Sequence, residues 1–176
     1  MKALKTTLIV LMTLITSGLS AQTMDDVIAK FNDGAEDINK GDFATAITEF
    51  NDLLVMAATV GSEADDLVGQ AKEQLPLLHY QVAISFMKKK DYENAIPSLE
   101  KTVELAEAYG NNADKKAKAE KYLPKLLVGV GTQKFKAEDY DEAVNLFKSA
   151  IKYSPNYPKA HLGIGLVYQK QFEEED

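Results

Sequence analysis

Few residues of this 176-residue chain could do chemistry. His79 and His161 are its only histidines, and it has no cysteine. Neither histidine has a cysteine or a second histidine at the spacing that sets two metal ligands on one helical face. Both fall at comparable places in a repeating pattern where a large packing residue belongs, so packing is their expected role. Asp37-Ile38-Asn39-Lys40-Gly41-Asp42 echoes a calcium loop, but its glycine and aspartate stand in the wrong order. Thr48 also occupies the place of the bidentate glutamate. Gly129-Val130-Gly131 and Gly163-Ile164-Gly165 lack the third glycine and the preceding strand of a dinucleotide site. Close helix packing is the simpler reading of both pairs. No serine, aspartate or glutamate falls into a nucleophile–base or paired-carboxylate arrangement. The expectation is a non-enzymatic chain with no cofactor and no metal.

One positive feature stands out, the run Lys115, Lys116, Lys118, Lys121 and Lys125. It reads either as a solvated helical face balanced by Glu120 and nearby acids, or as a patch that receives an acidic segment of a partner. All twenty basic residues are lysine, against 27 acidic residues. An acidic chain without arginine lacks the planar fork that grips phosphate and guanine, so no nucleic-acid partner is expected.

The N-terminus begins with Lys2 and Lys5, then an apolar run over 8–15, then small residues up to Ala21. That order predicts a signal peptide over 1–21, cleaved after Ser20 or Ala21. The run is shorter than the roughly 20 residues a spanning helix needs, so no stable membrane insertion is expected once it is removed. The predicted destination is the bacterial periplasm or the extracellular space. Cleavage leaves 20 − 2 = 18 lysines and a net charge of 18 − 27 = −9. Without cysteine, packing alone must hold the exported chain together.

The elements that carry these residues follow a period. Asp-aromatic-x-x-Ala occurs at Asp42-Phe43…Ala46, Asp91-Tyr92…Ala95 and Asp139-Tyr140…Ala143, separated by 49 and 48 residues (91 − 42, 139 − 91). Such a period marks a stacked array. Apolar residues recur every three or four positions and nowhere alternate, which predicts helices over about 24–40, 43–60, 62–89, 92–109, 112–137, 140–153 and 157–171. Each Asp is an expected N-cap. Gly61-Ser62-Glu63-Ala64-Asp65 and, 49 residues on, Gly110-Asn111-Asn112-Ala113-Asp114 are expected stops followed by capping boxes. Pro76 and Pro124 each precede an Asp of the signature by 15 residues and predict a repeated bend. The mature domain is expected over 22–171, as one array with a continuous interior, and 172–176 as a solvated acidic tail.

These positions resemble the tetratricopeptide repeat. Gly131, Tyr140, Ala143, Phe147, Ala150 and Pro155 fill its places in the third unit; Gly34, Phe43, Ala46, Phe50 and Leu53 fill them in the first. Ala83, Tyr92, Ala95, Leu99 and Thr102 fill them in the second, and 160–168 is similar to the first helix of a fourth. Gly34, Ala83, Gly131 and Gly165 are then the small residues that admit a neighbouring helix. The units exceed the usual 34 residues by about 14, so the hairpins should be tall. The resemblance implies an all-α solenoid of about three long hairpins with a C-terminal capping helix, acting as a protein-interaction scaffold. Its first helices would line a groove with Ile28, Phe31 and Ala35, with Tyr80, Ile84 and Met87, and with Lys125, Val128, Thr132 and Phe135. The residues expected to bind are Phe31, Tyr80, Ile84, Met87, Lys125, Val128, Thr132 and Phe135. A peptide segment or a partner helix suits that wall. The alternative is an assembly component of the cell envelope whose terminal repeats stack copies of the chain.

Overall fold

The computed structural model describes residues 22–175; the signal-peptide reading of 1–21 and the last residue of the predicted tail lie outside the described residues. Seven α-helices follow one another: α1 (Met24–Lys40), α2 (Phe43–Val60), α3 (Asp65–Lys88), α4 (Tyr92–Tyr109), α5 (Ala113–Lys136), α6 (Tyr140–Tyr153) and α7 (Pro158–Glu175). No strand occurs among the described residues. The architecture is the expected solenoid: three antiparallel hairpins, α1–α2, α3–α4 and α5–α6, closed by α7. The surplus length lies mainly in α3 and α5, each of 24 residues and so about 36 Å long. α7 continues through Glu175, so residues 172–175 extend the terminal helix.

Each Asp-aromatic signature forms the turn inside a hairpin. The residue before the aspartate takes a left-handed conformation, with φ of +78° at Gly41, +61° at Lys90 and +62° at Glu138. The aspartate N–H then bonds back five residues, to the carbonyls of Asp37, Phe86 and Lys134, at 2.9–3.0 Å. This closes the preceding helix in a Schellman turn. Asp42 and Asp91 also accept from the N–H of Thr45 and Asn94, capping α2 and α4 as expected. Asp139 has the same backbone geometry but makes no side-chain cap bond.

The turns between hairpins depart from expectation. Ser62–Ala64 winds into a 3₁₀ turn that leads directly into α3, and no side chain caps either element. The expected Ser62-x-x-Asp65 capping box is therefore absent. Asn112 stands at the N-cap of α5 with φ +52°, and its side chain does not cap α5 either. The cause lies in α3. Pro76 has no N–H to give the Lys72 carbonyl four residues back, and its ring crowds that turn. Asn111 Nδ2 donates to the Lys72 carbonyl at 3.2 Å, and Asn112 Nδ2 to the Glu73 carbonyl at 2.7 Å. The acceptor freed by a proline in one helix, with the carbonyl next to it, thus anchors the loop that starts the next hairpin. Pro124 sits at the same height in α5 as Pro76 in α3, eleven residues after the helix start (124 − 113, 76 − 65).

Small residues face large ones across each hairpin. A Cβ at Gly34 would lie 2.9 Å from the Phe50 ring, and one at Gly131 would lie 2.8 Å from the Phe147 ring. The middle hairpin places Ala83 and Leu99 at the matching positions, trading a methyl on one helix for a smaller side chain on the other. Gly165 has nothing within 4 Å of a Cβ and admits no helix. Gly163 does so instead: a Cβ there would come within 2.6 Å of Phe147. Close packing therefore explains Gly131 and Gly163 and not Gly129 or Gly165.

Buried side chains form two clusters rather than one uninterrupted interior. The N-terminal cluster joins Val27, Phe50, Leu53, Leu75 and Leu78 to Leu105 near the end of α4. The larger one runs from Tyr80 and Ala83 through Leu99, Leu123 and Phe147 to Val167 on α7. α3 and α4 belong to both, because helices this tall meet the preceding hairpin along one part and the following hairpin along another. α2 is long and apolar enough to cross a membrane by length and composition, yet Ala46, Phe50, Leu53 and Ala57 pack it against α1 and α3. Thr102 is fully buried, and its hydroxyl donates to the Ser98 carbonyl at 2.9 Å.

Candidate functional site

Curvature decides which face can hold a partner. α1, α3, α5 and α7 pack against one another in succession, whereas α2, α4 and α6 make no mutual contact among the described residues. The first helices therefore form the inner, concave wall. On that wall a cavity of about 270 Å³ opens where the end of α3, the start of α4 and the middle of α5 meet. Met87, Tyr92, Tyr122, Lys125, Leu126 and Gly129 line it. Leu126 is buried and forms its floor, while Tyr122, Lys125 and Gly129 are exposed at its rim. A Cβ at Gly129 would meet nothing within 4 Å, so the glycine holds the mouth open. The volume lies just under the roughly 300–1,000 Å³ of small-molecule pockets. It suits one apolar side chain of a partner better than a whole cofactor.

Met87 and Lys125 are the two predicted residues that this cavity brings together. Tyr80 and Val128 lie in the larger core cluster, 9% and 8% exposed, and Ile84 and Phe135 pack half-buried against it. The Phe135 ring lies 5.9 Å from that of Tyr140. Phe31 lies in the N-terminal cluster with its ring 5.7 Å from Phe50. Thr132 is exposed, its hydroxyl donating to the Val128 carbonyl of its own helix at 2.8 Å. Sequence reasoning missed Tyr92, Tyr122 and Leu126 as cavity residues. Tyr122, Lys125, Leu126 and Gly129 recur at three- and four-residue steps along α5, a pattern that marks one helical face.

The lysine run divides in two. Lys115 pairs with Asp114 at 2.7 Å, Lys116 with Glu107 at 2.9 Å and Glu120 at 3.6 Å, and Lys118 with Asp114 at 3.8 Å. Lys115 also holds its ammonium 6.0 Å from the Tyr80 ring. This half is the balanced, solvated face. Lys121 and Lys125 have no ion pair among the described residues; Lys125 lines the cavity rim, and Lys121 is exposed one turn before it on α5. The concave wall thus offers an apolar hole beside two uncompensated ammonium groups.

The histidines have separate roles. His79 is half-buried, and burial, reinforced by Lys101, holds its pKa below the ordinary 6.5. His161 is exposed rather than packed, with Nε2 at 2.7 Å from the Pro155 carbonyl in the α6–α7 turn. A carbonyl can only accept, so Nε2 carries the proton in that contact.

Helical hairpins stacked into a curved solenoid, first helices inward, define an α-helical repeat scaffold. Residues 131–171 match a family model described as TPR repeat, and residues 78–109 match one described as Tetratricopeptide repeat. These two stretches carry tetratricopeptide repeats, and such repeats support a protein–protein interaction scaffold. The earlier match begins two residues beyond Pro76 (78 − 76), so the part of α3 before the proline is what the long unit adds. No curated protein matches the sequence. Among solved structures the chain is similar to the C-terminal TPR-containing domain of a Plasmodium falciparum protein described as FK506-binding. Identity there is 18% with a TM-score of 0.32, covering 86% of this chain and 91% of that one. It is also similar to MamA protein, at 16% identity and a TM-score of 0.33, covering 85% of each chain.

Proposed function

We propose that this chain is a non-enzymatic scaffold, exported to the bacterial periplasm or beyond, that receives a peptide segment or partner helix on its concave face. One apolar side chain of the partner enters the cavity over Leu126. An acidic residue a turn away from it meets Lys121 and Lys125. The observation that carries this reading is the juxtaposition of the cavity with Lys125 and, one turn before it, Lys121, neither of them ion-paired among the described residues. Opposite charge at the rim steers encounter and fixes register, while the buried anchor supplies affinity. Export rests on the basic, apolar and small-residue succession of 1–21.

A displayed random-peptide library tests the groove. The wild-type protein should enrich peptides that set Leu, Met or Phe three or four positions from Asp or Glu. Gly129→Leu, which fills the mouth, should abolish that enrichment, and Lys125→Glu should shift it towards Lys and Arg. Enrichment that ignores both changes refutes the assignment. N-terminal sequencing of the secreted product should begin at Ala21 or Gln22, and retention of Lys2 and Lys5 would count against export.

A further inference from the structure

The last helix, α7, carries a face that the described residues leave uncovered. Along α7, Leu162, Leu166, Tyr168 and Phe172 are 63%, 43%, 52% and 66% exposed, while Ala160 and Val167 on the opposite side are fully buried. The outward side of a surface helix is ordinarily polar. An apolar one marks a contact surface. We propose that this face binds α7 of a second copy of the chain, antiparallel, about a twofold axis passing near Val167. The pairing is independent of the groove.

The register follows from the residues. With the axis at 167, Leu162 stands level with Phe172 of the second copy (162 + 172 = 2 × 167), while Leu166 and Tyr168 flank that line on either side and each meets its own counterpart. Each apolar residue of the face then meets another. Gly165 lies on the same exposed side and lets the backbones approach. Charge chooses the direction. Lys159, in the first turn of α7, has no ion pair among the described residues. Antiparallel packing brings it within one turn of Glu173 of the second copy, at both ends of the interface. Glu173 faces only Lys170, at 3.7 Å, and Gln169 within its own chain. Parallel packing would set lysine against lysine and glutamate against glutamate. Head-to-tail stacking lacks a matching surface, because the first hairpin exposes only Ile28 and Val55 among its large apolar side chains, on separate helices. A self-complementary patch with closed twofold symmetry is what remains.

Sedimentation velocity across a concentration series, on protein purified from full-length expression, reads the outcome. The mass should rise from that of one chain to twice that value and stop there. Leu162→Ala combined with Phe172→Ala should abolish the rise. Lys159→Glu alone and Glu173→Lys alone should each weaken association roughly tenfold, since each change acts twice in a symmetric interface. The two charge changes together should restore it, because the pair is then exchanged rather than broken. A monomer at every concentration, growth beyond two chains, or association unmoved by these variants overturns the proposal, and so does failure of the combined charge variant to recover. Should the apolar variant lose its circular dichroism, the charge changes decide alone, since both side chains are exposed and bury nothing.

Discussion

Replacing Gly131 with alanine tests whether volume is shared out within each hairpin. The added methyl would lie 2.8 Å and 3.0 Å from two carbons of the Phe147 ring and 3.3 Å from Leu146 Cβ. The ring has no room to retreat: Phe147 is 2% exposed, and on its far side the α7 backbone at Gly163 is so close that a Cβ there would lie 2.6 Å away. Overpacking of this kind costs about 1–3 kcal/mol, offset by up to about 1 kcal/mol from removing a glycine inside a helix. A net loss of about 1–2 kcal/mol is expected. Phe147→Leu alone leaves a void and should cost about 1 kcal/mol or somewhat more. The double variant reproduces the Ala83–Leu99 pair of the middle hairpin, so it should be more stable than the sum of the two losses by at least about 1 kcal/mol. Urea unfolding followed by far-ultraviolet circular dichroism measures all four proteins, provided the denaturant slope stays constant across them. If the two losses simply add, the complementarity is refuted, because each residue would then be acting without reference to the other.

Gly69 supplies the contrast, since a Cβ there meets nothing within 4 Å in the middle of α3; Gly69→Ala should raise stability by about 0.5–1 kcal/mol in the same assay. Asn111→Ala should cost about 1 kcal/mol by leaving the Lys72 carbonyl without its donor, and the cost should shrink in a Pro76→Ala background, where a restored N–H fills that carbonyl. Equal cost in both backgrounds would break the link between proline and loop. For His79 the folded-state pKa lies below 6.5, so on acidification the unfolded chain takes up its proton first. Stability should therefore fall as pH drops through 6.5, levelling only below the folded value, and His79→Gln should flatten that part of the profile. Asp42, whose cap bonds with Thr45 hold its pKa below the usual carboxylate value, contributes stability above its unfolded pKa that is lost as pH falls through the folded one. Asp42→Asn should keep the helix end while removing that acid dependence.

The helices were legible because their apolar residues keep a strict helical interval and because one turn signature recurs at every hairpin. Boundaries set by backbone bonds between near neighbours, such as the Asp42, Asp91 and Asp139 turns, could be placed within a residue or two. The Asn112 cap failed for a non-local reason. The acceptors that bond Asn111 and Asn112 belong to α3, 39 residues earlier, and the first of them, the Lys72 carbonyl, is free because Pro76 withholds its N–H. The wall residues differ in burial through height rather than through face. Tyr80 and Met87 are seven residues apart and share nearly one helical direction. Yet the start of α5 lies over Tyr80, with Lys115 against its ring, while Met87 stands beside the opening. Face can be read from periodicity, but which level of a neighbouring helix covers it depends on the stagger between hairpins, which no local pattern records. The pairing of volumes is different, because it was there to be read. Gly34–Phe50, Ala83–Leu99 and Gly131–Phe147 all stand sixteen residues apart (50 − 34, 99 − 83, 147 − 131), and that constant offset shows two helices joined by the same turn and meeting at the same depth. A tall hairpin fixed in this way is a rigid unit. Such a unit can leave two lysines unpaired near a cavity rim and an apolar stripe on its last helix, because neither surface is needed to hold the hairpins together.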